Sequence, residues 1–132
     1  MNVVGHGVDV VETRRIAELI ERHGRHFLDR VFTPAEQAYC LGKKRETEHL
    51  AGRFAAKEAV LKVLGTGWGG GIAWTDVEIT NAPSGQPAVT LRGQCAEIAA
   101  KLGILRTLIS ISHIDTHAMA SALGLGGLAA SS

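Results

Sequence analysis

The sequence predicts a single domain that combines helices with antiparallel strands. The chain has 132 residues, which is typical of one domain, and 45% of them are hydrophobic, which favours an ordered core. A long stretch from Thr47 to Leu64 contains no proline and is followed by Gly65, as expected for a helix and its stop. Two strand-like segments, Thr107–His113 and His117–Leu123, are separated by three residues, which predicts an antiparallel hairpin. We expect one domain over residues 1–132, with a frayed tail at 124–132.

The N-terminal half predicts one strand and two short helices. Val3–Val11 is rich in β-branched residues and predicts a strand. Thr13–His23 has apolar residues at helical spacing, and Gly24 is expected to end this helix in a left-handed conformation. Thr33–Glu36 has the pattern of a capping box with proline at the first helical position, and Gly42 is expected to end the helix that it begins.

The long helix carries an apolar side, and shorter elements follow it. Leu50, Phe54, Leu61 and Leu64 are expected on that side, with Glu58 on its border. The later elements are a half-buried strand at 75–80, a turn at 81–87, a short return strand at 88–91 and a helix at 94–102 closed by Gly103.

The composition argues against several classes of protein. The chain carries 14 Lys and Arg against 13 Asp and Glu, so general binding to nucleic acid or to a membrane is not expected. Cys40 and Cys95 lie far apart, which argues against a disulfide framework. No apolar stretch reaches the length of a transmembrane helix, and the first residues lack the pattern of a signal peptide. The expected location is cytoplasmic.

Asp9 is the only acidic residue inside the first strand. One interpretation is an edge strand with Asp9 facing water, because an unpaired buried carboxylate is costly. The other is a metal ligand or catalytic carboxylate held on a rigid element.

Glu58 and Lys62 also allow two interpretations. They lie four residues apart in the long helix, in the favoured order for an exposed ion pair. They also border the apolar side among alanines, so they could face a small cleft and hold a divalent cation and a phosphate. Mg²⁺ suits such a site, because it binds through one or two carboxylates together with substrate phosphates.

Other motifs carry weaker signals. The glycine run from Gly65 to Gly71 follows a helix rather than a strand, so it does not predict a dinucleotide site. His113 and His117 have the spacing of a helical zinc site but lie in a strand pattern. Ser112 and His113 could instead donate hydrogen bonds to a phosphate. The basic residues of the N-terminal half, Arg14 among them, make a plausible docking surface for an acidic partner.

Four segments taken together resemble one family, the holo-[acyl carrier protein] synthases, which are short 4′-phosphopantetheinyl transferases. The segments are Gly7–Glu12 with the following Arg14-Arg15-Ile16, Val31–Glu36, Ala51–Ala59 with Lys62 and Gly65–Gly67, and Ile109–His113. They occur in the family's order, and the resemblance as a whole covers residues 3 to about 123.

The resemblance implies a fold and an activity. The fold would be α+β, a small antiparallel sheet with a long central helix packed on it. The enzyme would transfer 4′-phosphopantetheine from coenzyme A to a serine of apo-acyl carrier protein. It would require Mg²⁺, release adenosine 3′,5′-bisphosphate and serve fatty acid biosynthesis, a part of lipid metabolism.

The resemblance also implies roles for individual residues. Asp9 and Glu58 would be the Mg²⁺ ligands, and Glu58 and Lys62 the catalytic residues, with Lys62 contacting the pyrophosphate. The base that deprotonates the serine stays open between Glu58 and a metal-bound water. Arg14 would contact the carrier protein. Coenzyme A would be bound by Arg53, Lys62, Gly65, Ser112 and His113.

The assembly and two competing functions complete the predictions. The family resemblance implies a homotrimer, and the two C-terminal strands are apolar on both faces, as expected for strands that a neighbouring subunit covers. A non-catalytic module that binds coenzyme A would need the basic residues but not two carboxylates. A metal-dependent hydrolase would consume coenzyme A without any carrier protein.

Overall fold

The computed structural model describes residues 1–69 and 71–127. The helices and strands are β1 Asn2–Glu12, α1 Thr13–His23, α2 Arg25–Val31, α3 Pro34–Cys40, α4 Glu46–Leu64, β2 Val77–Asn81, β3 Pro87–Leu91, α5 Gly93–Leu102, β4 Ile104–His113 and β5 His117–Gly126. Helix α4 packs against β1, β5 and β4. The predicted α+β class, a long helix on a small antiparallel sheet, is confirmed. Within the described ranges, no helix is both long and apolar enough to span a membrane.

Two antiparallel sheets frame the long helix. The larger one has the strand order β1-β5-β4, and the smaller one is the β2-β3 hairpin. In the larger sheet Asp9 of β1 and Ile111 of β4 both pair with Ala120 of β5. Residues directly opposite share a face, so these three side chains lie on one face of the sheet.

The two faces of the larger sheet differ in what covers them. Ala118, Ala120 and Ala122 of β5 are buried on the face that carries α4. On the other face Val10 is 62% exposed and Met119 is 48% exposed. The strands are therefore apolar on both faces, as the sequence predicts, and one apolar face is open within this chain.

Helix α4 is buried on nearly every side rather than along one apolar stripe. From Ala51 to Leu64 the two residues that are not buried are Glu58 and Lys62, the first partly and the second largely exposed. The sequence predicted one apolar side, but the buried surface of the helix is wider than that. The larger sheet covers one side of the helix, and α1, α3 and β2 cover other sides. The opening that remains contains the two charged residues singled out by the sequence.

Glycine allows β1 to approach α4 closely. A Cβ atom built on Gly7 would lie 2.2 Å from the carbonyl oxygen of Ala59 and 2.7 Å from Cβ of Lys62. A side chain at this position would force the strand away from the helix. The contact therefore fixes the distance between Asp9, two residues later in β1, and the Glu58–Lys62 opening.

The predicted helix Thr13–His23 is confirmed, but three details of the short helices differ from the prediction. Helix α2 was not predicted, because its seven residues are too few to show a helical period. Gly24 has φ 54° and ψ −132°, outside the left-handed helical region, because the chain enters α2 at once. Helix α3 already ends at Cys40, and Gly42 lies beyond it.

The predicted fraying does not begin at residue 124, because β5 continues to Gly126. Gly124 belongs to β5 and is buried, and a Cβ there would lie 2.7 Å from a methyl group of Val63. The lack of a side chain at Gly124 therefore allows β5 to pack closely against α4. Residues 128–132 of the predicted tail lie outside the described part of the chain.

Candidate active site

Asp9, Glu58 and Lys62 form a carboxylate cluster at the opening over α4. The Lys62 Nζ lies 3.2 Å from Oδ1 of Asp9 and donates a hydrogen bond of 2.7 Å to the carbonyl oxygen of Val8. Strand β1 is an edge strand, yet the Asp9 side chain is only 20% exposed because it lies on the side of the sheet that carries the helix. Lys62 thus reaches across to β1 instead of forming the simple helical pair with Glu58.

The electrostatics of this cluster favour a cation. Burial raises the pKa of Glu58 above its ordinary 4.5, and the charge of Asp9 raises it further. The Trp68 side chain and the cations of Lys62 and Arg15 act in the opposite direction. Two carboxylates that repel each other at a partly closed opening are stabilised when a divalent cation lies between them.

The donor set fits Mg²⁺ in particular. Carboxylate oxygens are its preferred protein ligands, and it keeps several positions for waters and substrate phosphates. The described residues contain no group of three or more His, Cys, Asp or Glu side chains that could enclose a metal. A site with only two carboxylates therefore suits Mg²⁺ shared with a phosphate better than a closed structural metal.

Gly65 ends α4 one turn beyond Lys62. It adopts the left-handed conformation with φ 75° and ψ 15°, and its N–H donates to the carbonyl oxygen of Leu61. Gly65 and Gly67 are exposed and both have positive φ, so the backbone turns away from the helix without side chains in the way. This leaves room for a ligand beside Lys62.

Arg53 and His113 belong to a second group, the basic cluster, which also includes Tyr39, Lys43 and His49. Arg53 is 5% exposed, and its guanidinium carbon lies 4.2 Å from the Tyr39 ring centre. Lys43 Nζ lies 3.8 Å from the same ring centre. The rings of His49 and His113 are 5.8 Å apart, edge to face.

Asn81 and Glu48 hold two side chains of the basic cluster in place, and the cluster can still bind an anion. Arg53 donates to Oδ1 of Asn81, but its buried Nε has no hydrogen-bond partner among the described residues. Nδ1 of His113 lies 3.0 Å from Oε1 of Glu48. Burial and the neighbouring His113, Lys43 and Arg53 lower the pKa of His49. A phosphate would relieve this crowding of cationic groups.

The structure does not bring the two clusters together within one chain. Arg53 and Glu58 are five positions apart in α4, which is a rise of about 7.5 Å and a rotation of about 140°. The two side chains therefore leave α4 on different sides. Each cluster is nevertheless built on successive turns of the same helix, with His49 and Arg53 in one row and Glu58 and Lys62 in another.

Two other predicted site residues lie outside both clusters. Ser112 pairs with Met119 and points to the open face of the sheet, because neighbouring residues of a strand point to opposite faces. It therefore faces away from His113. Arg14 is exposed on α1, and its Nε lies 3.1 Å from Oε1 of Glu18.

A buried ion pair supports the site and was not predicted. Lys57 Nζ lies 2.8 Å from Oε1 of Glu36, and both side chains are fully buried. Lys57 also donates to the carbonyl oxygens of Trp74 and Val77, while Glu36 accepts from the backbone of Thr33 and of Ile79. Burial lowers the pKa of Lys57, and the Glu36 charge opposes this.

This pair joins two of the sequence motifs. Glu36 closes the Val31–Glu36 segment, and Lys57 precedes Glu58 in the Ala51–Ala59 segment. The capping box of α3 was predicted, but the partner of Glu36 could not be, because it lies 21 residues away in the chain. Tyr39, Lys43, Glu48 and His49 were likewise not assigned to the site, although His49 and Arg53 have the i, i+4 spacing of one helix face.

Comparison with known proteins places this arrangement in a family. Residues 5–122 match the sequence profile described as the 4′-phosphopantetheinyl transferase superfamily. The chain belongs to this superfamily. The match includes both carboxylates of the carboxylate cluster and both Arg53 and His113 of the basic cluster.

Relatives within the 4′-phosphopantetheinyl transferases are holo-[acyl-carrier-protein] synthases. The one of Koribacter versatilis is 45% identical over 92% of this chain and 97% of its own. The one of Desulforudis audaxviator is 48% identical over 94% of each chain. The crystal structure of the Helicobacter pylori enzyme in complex with coenzyme A matches with a TM-score of 0.80 and 32% identity, over 91% of this chain and 99% of that one. The resemblance and the enzyme class predicted from the sequence are confirmed.

Proposed function

We propose that this holo-[acyl carrier protein] synthase transfers 4′-phosphopantetheine from coenzyme A to a serine of apo-acyl carrier protein. The reaction would require Mg²⁺ and release adenosine 3′,5′-bisphosphate. One observation carries the proposal: two carboxylates and a lysine converge at the opening over an otherwise buried helix. The Helicobacter pylori relative, solved with coenzyme A, supports coenzyme A as the donor substrate.

The carboxylate cluster would hold the reacting part of coenzyme A. Asp9 and Glu58 would hold Mg²⁺, which when bound stabilises negative charge on the pyrophosphate. Lys62, fixed between Asp9 and the Val8 carbonyl, would contact a pyrophosphate oxygen and stabilise the leaving phosphate. The proton of the serine would pass to a base at this cluster, and Glu58 is one of the two candidates named above.

The basic cluster would hold the phosphates at the nucleotide end. The Arg53 guanidinium is already oriented by Asn81 and Tyr39, so little conformational freedom is lost when it binds a phosphate. His113 would add a second donor once a phosphate competes with Glu48 for its proton. Gly65 would leave room for the ligand between Lys62 and the following segment, and the role of Ser112 stays a prediction.

Two copies of the chain would complete each site. The two clusters diverge by about 140° around α4, which makes it hard for one chain to reach both ends of coenzyme A. The open apolar face with Val10, Leu108 and Met119 would be covered by another copy. We therefore propose a homotrimer with sites between subunits; the number three comes from the family resemblance.

The remaining expectations follow from the same proposal. Arg14 would contact the carrier protein, which is consistent with its exposure on α1. The single domain over residues 1–132, the cytoplasmic location and the role in fatty acid biosynthesis stay predictions. So does the expected lack of nucleic-acid and membrane partners.

Intact-mass spectrometry of apo-acyl carrier protein tests the proposal. With coenzyme A and Mg²⁺ we expect the carrier mass to increase by one phosphopantetheine group, and no increase when Mg²⁺ is chelated. Asp9→Asn and Glu58→Gln should abolish most transfer. Glu97→Gln, at an exposed position of α5, is the matched control and should leave transfer unchanged. Coenzyme A binding without transfer would favour the non-catalytic module. Coenzyme A consumption without carrier would favour the hydrolase.

A further inference from the structure

Three aromatic rings form a continuous stack beside the carboxylate cluster. The ring centres of Phe54 and Trp74 are 4.9 Å apart with an interplanar angle of 27°. Those of Trp74 and Trp68 are 3.7 Å apart, also at 27°. Phe54 lies on α4, whereas the two tryptophans come from the segment that follows the helix. The stack therefore anchors this segment onto the helix.

The geometry of α4 brings the end of this stack to Glu58. Phe54 and Glu58 are four residues apart, so they are neighbours on one face of the helix. Trp74 covers Phe54, and Trp68 lies on Trp74. The chain reaches Trp68 within four residues of the helix end, using the positive φ angles of Gly65 and Gly67. The stack therefore rises from the same helix face that carries the proposed metal ligand, and Trp68 is its outer ring.

The indole N–H of Trp68 is a buried donor in need of an acceptor. Its Nε1 is buried and has no hydrogen-bond partner among the described residues. A buried donor without a partner destabilises the fold, so a nearby acceptor would be drawn to it. The Glu58 carboxylate is close enough for the indole to lower the pKa of Glu58.

We propose that Trp68 is a positioning residue for Glu58. Its indole N–H would hold one carboxylate oxygen of Glu58 and leave the other directed towards Asp9. Metal-binding carboxylates are commonly oriented in this way by a hydrogen-bond donor behind them. The inference rests on the proposed function, in which Glu58 binds the metal, and it adds a residue that none of the sequence motifs assigned.

Two matched substitutions separate the donor from the stack. Trp68→Phe keeps an aromatic ring against Trp74 but removes the N–H. Trp74→Phe makes the same change in the neighbouring ring of the stack. The contact of Trp74 with Lys57 uses the backbone carbonyl oxygen, so Trp74→Phe leaves that acceptor in place.

The experiment measures the binding of Mn²⁺ alone, as a paramagnetic substitute for Mg²⁺, by the loss of the free Mn²⁺ signal in electron paramagnetic resonance. We expect Trp68→Phe to weaken Mn²⁺ binding about tenfold, as is common for groups that orient metal ligands. Trp74→Phe should stay within about twofold of the unaltered protein, since it lacks the orienting role. The two variants should have similar melting temperatures. If Trp68 had a purely structural role, a loss of Mn²⁺ affinity in Trp68→Phe would be accompanied by a lower melting temperature.

The outcomes distinguish this inference from the proposed function. If Glu58→Gln abolishes Mn²⁺ binding while Trp68→Phe leaves it unchanged, the inference is overturned and the metal site stands. If Trp68→Phe and Trp74→Phe weaken binding equally, the stack and not the N–H is responsible, and the inference is also overturned. If Glu58→Gln leaves Mn²⁺ binding unchanged, the metal assignment itself fails and the inference fails with it.

Discussion

Replacing Lys57 by methionine tests whether the buried ion pair holds the site together. The substitution leaves the Glu36 carboxylate without its cationic partner in a fully buried position. Glu36 retains the backbone N–H donors of Thr33 and Ile79, which satisfy part of its hydrogen-bonding capacity. The carbonyl oxygens of Trp74 and Val77 lose a donor at the same time.

The expected loss of stability is large. Removing one partner of a buried ion pair costs about 3–5 kcal/mol, because an uncompensated charge stays in the interior. Domains of this size are stable by only about 5–15 kcal/mol, so this is a substantial fraction of the free energy of unfolding. The corresponding decrease in melting temperature is about 10–20 °C.

Urea unfolding followed by far-UV circular dichroism measures this loss, and a double variant provides the control. In Glu36→Gln/Lys57→Met no charge is left unpaired, so we expect the double variant to be more stable than Lys57→Met by at least about 1 kcal/mol. The denaturant slope should be unchanged. A loss below about 1 kcal/mol in Lys57→Met, or a double variant less stable than both single variants, would refute the reasoning.

Three further predictions concern the geometry, titration and surface of the site. Gly7→Ala should lower the free energy of unfolding by about 1–3 kcal/mol and weaken Mn²⁺ binding, because a Cβ would collide with the Ala59 carbonyl oxygen; unchanged urea unfolding and Mn²⁺ titration would contradict this. Because the pKa of Glu58 is raised, the folded protein holds that proton to a higher pH than the unfolded chain does. The contribution of Glu58 to stability is thus present below pH 4.5 and is lost as the pH rises through its folded-state pKa. Mn²⁺ affinity should already fall above pH 4.5 when the solution is acidified, because a proton on Glu58 competes with the metal. Mn²⁺ titrations at a series of pH values would disagree if the midpoint of this decrease lay at or below pH 4.5. Arg14→Glu should slow transfer to the carrier protein most at low salt and spare coenzyme A binding; an equal loss of both in kinetics and calorimetry would count against a carrier contact.

The fold could be predicted where local signals are strong. The capping box from Thr33 to Glu36 forms as expected, with both of its hydrogen bonds present, because it depends only on residues three apart. Gly65 and Gly103 end their helices in the left-handed conformation. Short helix α2 and the burial of Gly124 were missed, since they are determined by contacts with distant segments.

The candidate site was predicted in its members but not in its arrangement. Helical spacing relates Glu58 to Lys62, but only the close approach of Gly7 to α4 brings Asp9 to them. Strand alternation separates Ser112 from His113, which the sequence-based hypothesis had placed together. Tyr39 and Glu48 join Arg53 and His113 through contacts between elements, and no spacing in the sequence indicates such contacts.

Mixing two inactive variants tests most directly whether the carboxylate cluster of one chain works with the basic cluster of another. Glu58→Gln disables the first cluster and His113→Ala the second. Each variant alone should fail to modify apo-acyl carrier protein, whereas chains co-expressed and purified as mixed oligomers should recover measurable transfer by intact-mass spectrometry. Native mass spectrometry verifies that the mixed oligomers have formed. A site shared between subunits would be contradicted if these mixed oligomers were as inactive as either parent variant.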